Sequence, residues 1–471
     1  MVFNSLTFIV FFTIVLILFW MPFSWTTRKI ILLVASYLFY AAWNPPFIIL
    51  LWISTVVDWW AANRIAYSSS ALRRRAWMLL SVGANLGMLG WFKYGGFLLA
   101  NFQVLAASVG IHYEAPHFDI VLPVGISFYT FATMSYTLDV YLKRAQPTPS
   151  MLDFMLFVTF FPHLVAGPIM RPTELVPQFQ KVVRPNLGQL RFGLALMTLG
   201  LFQKVVLADG FLAGAAEQLF DGVKVPGALD SWMGTLAFSG QIFCDFAGYS
   251  TTAIGAALCL GFKMPDNFRF PYAAVGFSDF WRRWHITLSS WLRDYLYIPL
   301  GGNRHGEGRA YFALMMTMLL GGLWHGANWT FVVWGALHGT YLAAERWLRK
   351  HFAGYKPGPF AFVMLGLLTY ALVNVTWVFF RAKTFEKAWV VLKGMFGLNA
   401  GPQPILAAAH LIAVTAIVGG IVVAHWRMRA RTLESLVSAT PAAVIGAVWS
   451  IMLFAVIVEQ GTGNAFIYFQ F

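Results

Sequence analysis

The sequence predicts an all-α polytopic membrane protein, and three observations carry that prediction. Of 471 residues, 59% are hydrophobic and only 11% are charged, where a soluble domain carries about a quarter. Mean hydropathy is +0.66. Apolar runs of spanning length, about 17–25 residues each, recur from the first residues to nearly the last. They lie near 5–23, 29–46, 47–66, 76–100, 119–141, 151–169, 187–208, 231–261, 310–328, 330–348, 359–380, 404–425 and 440–458. Allowing for re-entrant and tilted runs, this gives about eleven to thirteen membrane segments. They are read as one transmembrane domain covering 1–471.

Taken in order, the first run follows Met-Val-Phe-Asn-Ser-Leu-Thr, which has no basic stretch, and no Ala-x-Ala-like site comes after it. It therefore reads as a retained span, not a cleaved signal. Arg28-Lys29 after this span places the N-terminus outside. The Asn44-Pro45-Pro46 turn then lies outside and Arg73-Arg74-Arg75 inside. The loop 112–119, acidic without basic residues, suits the outside, and Lys143-Arg144 returns to the cytoplasm. The net charge of +14 is thus explained by topology and anionic lipid rather than by nucleic acid. Cys244 and Cys259 sit in apolar surroundings without disulfide or zinc spacing and read as buried core thiols. No internal or inverted repeat is evident, which argues against a secondary transporter.

The stretch 277–309 behaves differently, being rich in arginine and aromatic residues. Written as one helix, Trp281, Trp284, Leu288, Trp291 and Tyr295 share a face. Arg282, Ser289 and Arg293 form another stripe with His285 at its edge. The pattern fits an amphipathic helix at an interface or lining a wet cavity; it equally fits a helix lying on lipid without chemistry.

Two histidines inside apolar sequence stand out. An ionisable group at membrane depth is costly and usually functional, and imidazole suits proton transfer near neutral pH. His285 lies in Phe-Trp-Arg-Arg-Trp-His-Ile-Thr, and His325 in Gly-Gly-Leu-Trp-His-Gly-Ala-Asn-Trp. Asn328, at i+3 from His325, is expected on the same helical face, able to orient the ring or bind a carbonyl. Gly321, Gly322 and Gly326 leave room for close packing or substrate. His338 falls on a different face and reads as structural, while His163 sits in helix broken by Pro162 and Pro168. Asp245, in an apolar run, requires a partner, expected to be an arginine or a hydroxyl. The glycine-rich 301–309 segment lacks the Gly-Lys-Ser/Thr ending of a phosphate loop and reads as a flexible turn. No Ser-His-Asp order, paired-carboxylate site or metal cluster stands out.

Several of these segments together resemble one family. Phe280-Trp-Arg-Arg-Trp-His285-Ile-Thr-Leu-Ser-Ser-Trp-Leu-Arg293-Asp294-Tyr-Leu-Tyr-Ile-Pro299-Leu-Gly-Gly-Asn303-Arg304 is similar to the signature of the membrane-bound O-acyltransferase (MBOAT) superfamily, in its bacterial alginate O-acetylation branch. Trp324-His325-Gly-Ala-Asn328-Trp329 resembles the family's histidine segment. Leu122–Phe131, Phe160–Ile169, Asp245–Ser250 and the terminal Phe466–Phe471 also match, so the likeness runs along the whole chain.

The resemblance implies a ring of helices around a central catalytic tunnel, with His325 as catalytic histidine and His285 as the second motif histidine. It implies a donor, acetyl-CoA, arriving from the cytoplasm, with no bound cofactor and no metal. It further implies transfer across the bacterial inner membrane to an exopolysaccharide, alginate first, through a periplasmic acetyltransferase or acetyl carrier. Cellulose, peptidoglycan or another surface glycan are the alternative acceptors; a non-catalytic transporter or synthase anchor is the rival class. In such chemistry His325 serves as base or carries the acyl group. Trp324 and Trp329 exclude water, and Asn328 and Asp245 support the site. Arg282, Arg283 and Arg304 are candidates for the CoA phosphates.

Overall fold

The computed structural model describes the chain apart from residues 115, 117–120 and 460–471, so the Phe466–Phe471 match and part of the 112–119 loop lie outside the described residues. Helices account for all regular structure among the described residues. Five are long and apolar enough to cross a membrane: Pro45–Tyr67, Leu187–Phe220, Ala228–Cys259, Pro359–Arg381 and Ala408–Met428. Leu6–Trp20 and Ala442–Val458 are apolar but shorter. The other expected segments are helical too, but are short, broken or flanked by charge. The chain is a multi-pass membrane protein. It divides into two compact units, Met1–Leu194 with Ala253–Pro265, and Ala195–Thr252 with Asp266–Phe471.

In the first unit, serine starts four helices. Ser5, Ser24, Ser70 and Ser150 cap Leu6–Trp20, Trp25–Ala41, Ala71–Leu89 and Met151–Thr159, each hydroxyl accepting from an amide three residues on. Such caps satisfy amides that have no partner within the helix. The helix Ile126–Tyr141 is buried at every position except Leu138 and Tyr141. A helix without a polar face belongs in a core, and it lies against Ile48–Tyr67 and Ala71–Leu89. Its polar partner is a network the sequence does not announce. Asp58 accepts from Ser81 at 2.6 Å and from Asn85 at 2.9 Å, and Ser54 and Thr133 both donate to Asn85.

The run 151–169 breaks where its prolines suggest. Met151–Thr159 ends at Phe160, whose backbone turns extended, and Pro162 opens the short helix Phe161–Leu164. The amide of Phe161, left over by the break, donates to the Ser36 hydroxyl at 3.1 Å. His163 is buried there with Nε2 3.1 Å from the Phe157 carbonyl. Lys29 is not an exposed topological charge: it is buried against Asp153 at 2.5 Å.

In the second unit, backbones approach closely at two places. A methyl on Gly200 would stand 2.3 Å from the Gly248 carbonyl, and one on Gly248 2.5 Å from the Gly200 carbonyl. Only glycine allows that crossing. The helices Gly306–His325 and Trp329–His351 form a hairpin just as tight. Added methyls would meet the Phe331 carbonyl at 2.2 Å from Gly322 and the Met318 carbonyl at 2.3 Å from Gly335. The apolar core of this unit gathers Trp284, Trp334, Trp377, Phe280 and Phe380. Just past Phe220, Asp221 bonds Arg381 bidentately and Lys383 at 3.1 Å.

The single amphipathic helix carrying Trp281 to Tyr295 on one face is not formed. Phe277–Trp281 stops, the chain passes through His285 at φ +41°, and Ile286–Leu292 starts afresh before a wide turn at Arg293–Tyr297. The break moves Trp281 and Trp284 off the face they would share with Leu288 and Trp291. Its reason is a remote partner: the amides of Ile286 and Thr287 bond the Asn267 carbonyl and side-chain oxygen rather than a helical turn.

Candidate active site

His325 is the last residue of its helix and is only 2% exposed. Three aromatic rings wall it: Trp324 and Trp334 with centroids at 5.0 Å, and Phe380 at 5.2 Å. Trp324 also faces His285, at 6.0 Å. The two motif histidines, 40 positions apart in sequence, therefore share one tryptophan. Trp334 in turn reaches His338 at 4.7 Å, so tryptophans link three buried imidazoles in a row.

The surroundings of His285 fix its tautomer. Its Nδ1 lies 3.1 Å from Oδ1 of Asn267. That atom also receives the Thr287 amide at 3.3 Å and the Thr287 hydroxyl at 2.8 Å. A backbone amide only donates, so the Asn267 atom is the oxygen and Nδ1 of His285 must carry the hydrogen. Nε2 is then the nitrogen that can accept a proton. Phe246 meets the ring edge-on at 4.7 Å and closes the other side. His338 is fixed in the opposite sense. Thr376 gives its only hydroxyl hydrogen to the Val373 carbonyl at 2.7 Å, so it accepts from Nε2–H of His338 at 3.0 Å.

Asn328 is not on the His325 helical face. The helix ends at His325, Gly326 is extended, and Asn328 begins the next helix as its cap. Its oxygen takes the Thr330 amide at 3.0 Å and its nitrogen donates to the Lys383 carbonyl at 3.0 Å. It holds the turn behind His325. Gly326 is needed there: a methyl would stand 2.1 Å from the Phe331 ring. Trp329, expected as a second water barrier, is 52% exposed.

Among the described residues, Asp245 is held by a lysine. Lys204 bonds it at 2.9 Å and bonds Asp209 at the same distance, all three buried. Lys204 sits in the wide turn Phe202–Leu212, next to the Gly200–Gly248 crossing. Breaking one side of such a buried group strands a charge and is strongly destabilising.

The three arginines differ. Arg283 is committed: Nε bonds Asp279 at 2.9 Å, Nη1 donates to the Arg269 and Arg429 carbonyls, and Arg429 shares Asp279 at 2.6 Å. It braces the His285 segment. Arg282 and Arg304 are exposed, and neither makes an ion pair among the described residues. The turn carrying Arg304 is anchored by Asn303, which accepts from Tyr297 and from Arg346, both at 2.7 Å.

Sequence reasoning missed Asn267, Trp334, Phe380 and Lys204. None shares a spacing pattern with either histidine; only the buried-polar requirement at Asp245 pointed toward a cation.

Among the described residues, helices hold buried imidazoles against aromatic rings in a membrane protein. The chain belongs to the MBOAT, membrane-bound O-acyltransferase family, whose model matches residues 5–381; it is an acyltransferase. It is 41% identical over 402 residues to the probable alginate O-acetylase AlgI of Pseudomonas aeruginosa, covering 84% of this chain and 75% of that one. With the probable alginate O-acetylase AlgI of Pseudomonas putida, identity is 38% over 469 residues, 94% of each chain. The peptidoglycan O-acetyltransferase of Helicobacter pylori is 40% identical over 402 residues, 79% of this chain and 70% of that one.

Proposed function

We propose that this protein takes acetyl groups from acetyl-CoA at the cytoplasmic face of the bacterial inner membrane and passes them outward for O-acetylation of alginate. The N-terminus is outside in this reading, and a periplasmic acetyltransferase or acetyl carrier completes delivery to the polymer. The observation that carries the proposal is His325, held at a helix end and walled by Trp324, Trp334 and Phe380. Two relatives named for alginate O-acetylation support the acceptor.

In the reaction, an imidazole nitrogen of His325 takes the acceptor hydroxyl proton as the hydroxyl oxygen bonds the thioester carbonyl carbon. The carbon–sulfur bond then breaks, and the imidazolium returns the proton to the CoA thiolate. The charge carried meanwhile by His325 sits at the negative end of the Gly306–His325 helix dipole. The aromatic wall keeps water from competing with the acceptor. His285, with Nε2 as its proton-accepting nitrogen, orients the acceptor from across Trp324. Arg282 and Arg304 remain the candidates for the CoA phosphates.

His325→Ala should lower O-acetylation by roughly 10²–10⁴-fold, the usual contribution of a positioned general base, while membrane levels stay normal. The measurement is O-acetyl content of fractionated surface glycans from a deletion strain carrying either gene. Unchanged acetylation would sink the mechanism. Acetyl lost from peptidoglycan instead of alginate would favour the second reading, which rests on the likeness to the Helicobacter pylori relative.

A further inference from the structure

In the first unit a cavity of about 310 Å³ opens between the end of Leu6–Trp20, the start of Trp25–Ala41 and the segment 182–185. This lies at the lower end of the range for small-molecule sites, about 300–1,000 Å³. The walls are built, not incidental. The indole of Trp20 donates to the Cys259 carbonyl at 3.1 Å and that of Trp25 to the Phe179 carbonyl at 2.7 Å. Val183 and Pro185 are seated on Gly261, where φ is +83° and a methyl would stand 2.6 Å from Val183.

The lining has two arginines and no acidic residue. Arg28 lies over the Phe19 ring and gives one nitrogen to the Met21 carbonyl at 2.9 Å. Its Nε is buried and has no hydrogen-bond partner among the described residues. Arg184 makes no ion pair there either, and is exposed. The first turn of Trp25–Ala41 adds the positive end of a helix and carries no acidic residue; that end favours an anion. Phe23 and Val182, 40% and 61% exposed, make an apolar rim. Tryptophans at helix ends beside basic residues are the usual furniture of a membrane interface.

We propose that this cavity binds the phosphate headgroup of an anionic phospholipid. Arg28 and Arg184 hold the phosphate, and the acyl chains lie along the rim at Phe23 and Val182. A soluble phosphate would satisfy the arginines but leave the apolar rim without a partner. The site lies apart from the histidines in sequence and is independent of the acyl-transfer reading.

The test is binding of radiolabelled phosphatidylglycerol to the full, detergent-purified chain, with phosphatidylcholine, inorganic phosphate and acetyl-CoA as competitors. Arg28→Gln and Arg184→Gln should each weaken retention about fivefold, the order expected for one cation near an anionic headgroup. Arg28→Lys should keep most of it. Acetyl transfer by each variant, assayed in parallel, reports that the chain is folded. Equal retention by the double glutamine variant overturns the site. Full displacement by inorganic phosphate, acetyl-CoA or phosphatidylcholine overturns the anionic-lipid assignment.

Discussion

Asn267 decides what His285 can do. With three donors on its side-chain oxygen, it sets both the ring's hydrogen and its angle. Asn267→Ala would release the ring and strand the Thr287 hydroxyl. Misplacing a reacting group by about 1 Å can cost on the order of 10²-fold. Acetyl transfer should therefore fall by roughly 10–100-fold, short of the loss in His325→Ala, with the protein still inserted. A rate equal to wild type would remove His285 from the reaction. The histidines themselves are legible in sequence because a titratable group in an apolar run stands out. Asn267 is not, because an asparagine in a turn 18 positions upstream is ordinary until the fold folds it over His285.

At the scale of elements, the hairpin of Gly306–His325 and Trp329–His351 holds His325 and Trp334 to each other. Gly322→Ala puts a methyl 2.2 Å from the Phe331 carbonyl, and backbone cannot yield as a flexible side chain does. Overpacking of this kind costs about 1–3 kcal/mol, so the melting midpoint of the purified protein should drop. Gly308→Ala, with nothing within 4 Å, is the control and should not destabilise. Matching midpoints for the two variants would mean the helices can part without harm. Helix positions follow from the apolar runs with little error, since periodicity and length report directly on burial in lipid. The interruptions at Phe160, at His285 and in the wide turn Phe202–Leu212 do not, except where proline marks one. They depend on a remote partner taking up the freed backbone or side-chain group, as Ser36 and Asn267 do.

For the molecule as a whole, charge is used sparingly, at 11% of residues. Outside the spans, Asp221 shows the consequence for pH. Burial alone would raise its carboxyl, but the hydrogen bonds and charges of Arg381 and Lys383 outweigh that and hold it below 3.8. A carboxylate lowered in the folded state adds stability above its unfolded pKa, and that stability is lost as pH falls through the folded value. The thermal midpoint should therefore drop on acidification below about pH 4, and Asp221→Asn should flatten that part of the curve. An Asn variant with an unaltered acid limb would show that the pair adds nothing.

Lys29 and Asp153 are separated by 124 residues. A ribosome adding about 5–20 residues per second makes the lysine roughly 6–25 seconds before its partner exists. During that interval Lys29 is without its ion partner. Once Asp153 arrives, the same ammonium becomes an internal clasp between Trp25–Ala41 and Met151–Thr159. The finished molecule thus hides a charge that the growing chain carries unpaired.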